Sequence, residues 1–100
     1  MRSPREVTGS PVYQGEDESI TYTFDWSAVG TPTSPVVALK DPQGRDKSSV
    51  NLGGSASVVG DAVITPLVTG LIKENVYRLE CQVTKDGQVY EAYCRIIAEE

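Results

Sequence analysis

Apolar residues recur at every second position in three stretches of this chain, and that spacing excludes most architectures before composition is considered. Ile20, Tyr22, Phe24 and Trp26 alternate with Ser19, Thr21, Thr23 and Asp25. Tyr77, Leu79, Cys81 and Val83 alternate with Arg78, Glu80, Gln82 and Thr84. Tyr90, Ala92, Cys94 and Ile96 alternate with Glu91, Tyr93 and Arg95. Successive side chains of a strand point to opposite faces, so each stretch reads as a strand with one buried side. No segment carries the i, i+3, i+4, i+7 stripe of an amphipathic helix. The chain reads as all β.

Turn chemistry sets the strand limits. Asp86-Gly87 joins two long alternating stretches, and both residues tolerate positive φ, so a two-residue hairpin loop is predicted there. Lys85 then pairs with Gln88, which puts Cys81 opposite Ala92 and Cys94 opposite Leu79. Gly60-Asp61 gives the same signal between Ser57–Val59 and Ala62–Ile64. Asp41-Pro42-Gln43-Gly44 reads as a type I turn closing a hairpin between Val36–Lys40 and Arg45–Val50. Gly30 to Thr33 and Gly53 to Ser55 read as loops. Gly9 and Pro11 break an extended opening stretch, so residues 1–10 are expected as an arm or edge strand. Seven to eight short strands at this spacing predict one antiparallel sandwich domain over residues 1–100.

Composition narrows the function classes. A net charge of −5, with a pI near 4.6, argues against binding nucleic acid or an anionic membrane surface. No run approaches the roughly 18 apolar residues needed to span a bilayer. Arg2 and Arg5 are followed by no apolar region, so a secretory signal is not expected and a cytoplasmic start is. The sequence has no histidine, which removes the commonest general base and zinc ligand together with the Ser-His and Cys-His nucleophile pairs. It also has no Gly-rich phosphate loop, CxxC pair or nucleophile elbow. Glu16-Asp17-Glu18 forms an acidic loop without EF-hand spacing, and neighbouring carboxylates on a strand face opposite ways. No catalytic, cofactor-binding or metal-ligating residue is assigned. Two cysteines allow one disulfide. The predicted register makes Cys81 and Cys94 diagonal neighbours, too far apart for a relaxed bond, so two reduced, buried thiols are expected.

Leu71 stands six residues before Tyr77, and Tyr77 opens an alternating strand. This spacing resembles the tyrosine corner of fibronectin III and related immunoglobulin-like domains. A chain crossing between sheets leaves backbone groups unpaired, and a Tyr hydroxyl can satisfy one while its ring fills the core. Tyr77 is therefore expected to be structural, and the sandwich immunoglobulin-like. For Trp26 two readings stand: a core residue, or, with Tyr13, Tyr93 and Tyr90, a surface aromatic for docking or for stacking on sugar.

The segment Tyr13-Gln14-Gly15-Glu16-Asp17-Glu18-Ser19-Ile20-Thr21-Tyr22-Thr23 and the block from Ser57 to Leu71 that runs on to Glu80 resemble small proteins encoded among phage and prophage structural genes. The resemblance covers about residues 12–98. It implies a non-enzymatic virion component (capsid decoration, neck, or tail and baseplate) assembled in the bacterial cytoplasm and docked on other virion proteins. An interface through Arg2 to Pro11 or an exposed sheet edge is expected, with self-association open. The alternative is a carbohydrate- or receptor-binding module using Trp26 and the tyrosines.

Overall fold

The computed structural model describes residues 6, 7 and 9–100. Its segments are β1 (Val12–Gly15), β2 (Thr23–Asp25), β3 (Thr33–Lys40), the helical turn α1 (Ser48–Asn51), β4 (Leu52–Gly53), β5 (Ser57–Val59), β6 (Ala62–Ile64), β7 (Leu67–Val68), β8 (Val76–Lys85) and β9 (Gln88–Glu99).

The β8–β9 hairpin organises the rest. Asp86 and Gly87 both take left-handed φ values, 53° and 78°, the type I′ pattern whose twist suits the flanking strands. Pairing then runs from Lys85 opposite Gln88 to Val76 opposite Ile97 without a slip. β3 adds antiparallel to β8, and β1 adds to β9, giving the order β1-β9-β8-β3. A second set of strands, β2-β6-β5 with the β4-β7 pair, lies on the other side of the core. The Gly60-Asp61 loop joins β5 to β6 with Val59 opposite Ala62, as predicted.

The core lies between these layers, which makes the fold sandwich-like. Phe24, Val63 and Val68 come from one side, and Leu39, Tyr77, Leu79, Cys81, Val83, Cys94 and Ile96 from the other. Every inward position of β8 from Tyr77 to Val83 is buried, so the alternation read from the sequence is realised there.

Several expectations are corrected. Among the described residues the strand segments number nine, against the seven or eight expected. Ile20 to Trp26 forms only β2 and an isolated bridge from Ile20 to Val68. Pro66 has no N–H to give, and it separates β6 from β7. Thr65 repairs the gap: its hydroxyl oxygen accepts from Tyr22 N–H at 2.9 Å, and its own N–H donates to Tyr22 O. The pairing is not wholly antiparallel, since β1 runs parallel to β9. A parallel pair needs a long connection, and here the whole intervening chain supplies it.

The strand expected over Arg45–Val50 is absent. Asp41–Gly44 does turn, with Gly44 N–H donating to Asp41 O, and a Lys40–Asp46 bridge follows. Asp41 Oδ1 then accepts from the Gln43 and Arg45 amides, and Asp46 Oδ1 accepts from Ser48 N–H, so the chain enters α1. These short side chains satisfy backbone donors locally and outcompete a ladder.

Candidate interaction surface

Register decides which residues face outward on the four-stranded sheet. Inward residues of β8 are odd-numbered and those of β9 even-numbered, so the outer face presents Arg78 and Glu80 from β8, Tyr93 and Arg95 from β9, Lys40 from β3 and Tyr13 from β1. Four large apolar side chains on this face are open to solvent: Tyr13, Val36, Val76 and Val89.

An ordered polar network fills the centre. Arg78 lies over the Tyr93 ring, 3.7 Å from its centroid. Arg78 Nε is 2.9 Å from Glu80 Oε2, an ion pair without an aligned hydrogen bond, and Lys40 Nζ is 3.6 Å from Glu80 Oε1. Arg95 Nε donates to Glu6 Oε2 at 2.6 Å, and the Ser10 hydroxyl donates to the same oxygen. Arg95 N–H in turn donates to Ser10 Oγ. Glu6 and Ser10 are thus tied to β9 by side chains, and Glu6 also by its bridge to Tyr93. A shallow groove of about 440 Å³ runs across Lys40, Arg78, Glu80, Tyr93 and Arg95 to the Asp41 turn. Asp41 itself is buried. Desolvation opposes its ionisation, but hydrogen bonds from Arg45 and Gln43 outweigh that and hold its carboxyl below the usual aspartate range.

The aromatic residues singled out in the sequence do not form a platform. Trp26 is 7% exposed and packs in the core, where Pro32 and Cys81 are also buried. Tyr93 is 8% exposed beneath Arg78, while Tyr13, on the same face, is 61% exposed. Tyr90 is partly buried against the core. Neither Trp26 nor Tyr93 offers a free ring face to a sugar. Trp26 directly follows β2 and continues its alternation, so it is buried like Phe24 two residues before it. Of the arm, Arg2 to Arg5 and Thr8 lie outside the described residues.

Tyr77 is buried, and its hydroxyl accepts a hydrogen bond from Ile72 N–H at 3.0 Å, with Leu71 buried beside it. Both cysteines are free and buried. Cys81 faces Ala92 and Cys94 faces Leu79, the diagonal arrangement read from the sequence. Burial pushes the Cys81 thiol up to about 11, an effect partly offset by the nearby Trp26 indole.

The residues that sequence reasoning missed are Lys40, Arg78, Glu80, Arg95 and Glu6. A signal for some of them existed. The predicted hairpin register sets Arg78 opposite Arg95, an unfavourable pair that demands nearby carboxylates.

Comparisons with protein-family models, with curated proteins and with solved structures gave no match.

Proposed function

We propose that this chain is a non-enzymatic, immunoglobulin-like docking protein of a phage particle, attached to a larger assembly through the outer face of its four-stranded sheet. The observation that carries this reading is the combination on that face of solvent-open Tyr13, Val36, Val76 and Val89 with a fixed Arg78–Tyr93–Arg95 network. Interfaces favour Tyr and Arg at their centres, and side chains already held in place lose little freedom on binding. The immunoglobulin-like part of the reading draws support from the strand order β1-β9-β8-β3 facing β2-β6-β5 and from the Tyr77 corner. The virion part rests on the resemblance of residues 12–98 to phage structural proteins.

Density-gradient fractionation of particles from a host carrying the gene tests it. The chain should co-sediment with particles in a fixed ratio to the major capsid or tail protein. Val36→Glu together with Val89→Lys should release it while leaving the purified protein folded. A chain that stays entirely in the soluble fraction sinks the proposal.

A further inference from the structure

Charge is spread unevenly over this chain. The groove on the outer face of the sheet adjoins a smaller one, of about 180 Å³, and Asp41 and Tyr77 line both. Lys40, Arg78 and Arg95 line the first, and Arg45 and Lys47 the second. Five of the nine Lys and Arg thus line two neighbouring grooves, against two of the fourteen Asp and Glu, namely Asp41 and Glu80. Glu6 and Asp46 border them, on Arg95 and beside Lys40, and the cations still outnumber the carboxylates. The remainder of the sequence carries four cations for ten carboxylates. A basic strip on an acidic molecule draws anions to that strip and repels them elsewhere.

These cations are held in place but not used up. Arg78 Nε faces Glu80, and Arg95 Nε donates to Glu6. Among the described residues no hydrogen bond engages the terminal nitrogens of either guanidinium, and the two side chains are 37% and 46% exposed. Stacking on Tyr93 fixes one and the Glu6 bond fixes the other, so an arriving carboxylate meets donors already positioned. It would also relieve two like charges that stand opposite each other across the ladder.

Apolar side chains select the kind of anion. Val76 lines the larger groove, Val50 and Ile72 the smaller, and all three are exposed. Neither Tyr of the grooves offers an open ring for stacking on a base, since Tyr77 is buried and Tyr93 lies under Arg78. Aliphatic rims along a cationic row match an acidic peptide with aliphatic residues, not a phosphate backbone.

We infer that the paired grooves hold an acidic, aliphatic segment of a partner protein, its carboxylates on Arg78, Arg95 and Lys47 and its apolar side chains on Val76, Val50 and Ile72. The inference rests on the outer face being the docking face, and it names the chemistry of what docks there.

Amide chemical-shift mapping of the full chain, titrated with a blocked Leu-Glu-Glu-Leu-Glu peptide at low ionic strength, tests it. Shifts should concentrate at residues 40–47, 70–78 and 93–95, and the peptide with Gln in place of Glu should give none. Binding should weaken several-fold as salt rises to about 0.15 M. Arg78→Gln should weaken it about two- to fivefold, the range of an exposed ion pair. Lys47→Glu, at a side chain without a hydrogen bond or ion pair among the described residues, should also weaken it. That variant carries the test if the Arg78 variant fails to fold. No shift at millimolar peptide, or binding that ignores both variants, overturns the inference. So does tighter binding of polythymidylate, or self-association that moves the same amides without peptide, since each puts a different occupant in the grooves. A chain that sediments with particles yet ignores the peptide keeps the docking reading and loses this one. A chain that binds the peptide but never sediments loses the particle alone.

Discussion

Arg78 and Arg95 stand directly opposite each other on the β8–β9 ladder, and Lys40 extends the row across β3. Three cations in line are tolerable because Glu80 lies against Lys40 and Arg78, while Glu6 holds Arg95. The outer face is therefore a balanced array whose stability depends on two carboxylates.

Replacing Glu80 with Gln should unbalance that array. We expect Glu80→Gln to cost about 1 kcal/mol, more than most exposed ion pairs, since two cations lose their partner and the like charges remain. Added salt should recover part of the loss by screening the repulsion, whereas the parent protein should respond less. Urea titrations at low and high ionic strength read both effects, and a loss indifferent to salt would contradict the electrostatic account.

Tyr77→Phe keeps the ring and removes the acceptor for Ile72 N–H. The cost should be about 1–2 kcal/mol, which for a chain of this size lowers the melting temperature by several degrees. Thermal unfolding followed by circular dichroism checks it. A variant as stable as the parent would show that water replaces the hydroxyl at no cost.

Asp41, Asp25 and Asp46 all have carboxyls held below their usual range. For Asp41, hydrogen bonds from Arg45 and Gln43 outweigh desolvation; for Asp25 and Asp46, the bonds come from Ser27 and Ser48. A depressed folded-state pKa contributes stability that is present above the unfolded-state value and lost as pH falls through the folded one. Melting temperature should thus decline below about pH 4, near the unfolded aspartate value. Asp41→Asn should melt lower at neutral pH and show a shallower acid decline. An unchanged acid slope would remove Asp41 from this role.

At the alkaline end the sign reverses. Cys81 is raised to about 11 and Tyr22 to about 12, both chiefly by burial. Raised groups support the fold below their unfolded-state values, and that support is lost as pH climbs towards the folded ones. Stability should fall from about pH 8.5, where unfolded thiols ionise, and further above about pH 10, where unfolded tyrosine does. Native protein should resist iodoacetamide at pH 8 and react at two thiols once denatured. Rapid alkylation without denaturant would mean that the core opens far more often than its burial implies.

The hairpin was legible because its information is local: Asp86-Gly87 fixes the register, and the register fixes which side of every residue from Tyr77 to Ile96 is buried. The Gly60-Asp61 turn was legible for the same reason. The strand over Arg45–Val50 was misread because Asp41 and Asp46 act through side-chain hydrogen bonds that hydrophobic spacing does not encode. Tyr93 occupies a polar position in its strand yet is covered, since Arg78 reaches across to lie over its ring. Glu6 could not be assigned to Arg95 from sequence because 89 residues separate them and the parallel bridge of Glu6 to Tyr93 brings them together.

Gln14 is fully buried; its amide donates to Glu18 O and Val68 O, and it accepts from the Tyr22 hydroxyl. It fastens β1, which runs parallel to β9, across to the opposite layer. Tension applied between the two ends of the chain would therefore load β1 and β9 in shear, along the strands, rather than peel them apart one bond at a time. Four paired positions and the Gln14 clasp would have to yield together, so resistance to pulling would exceed what so short a strand suggests.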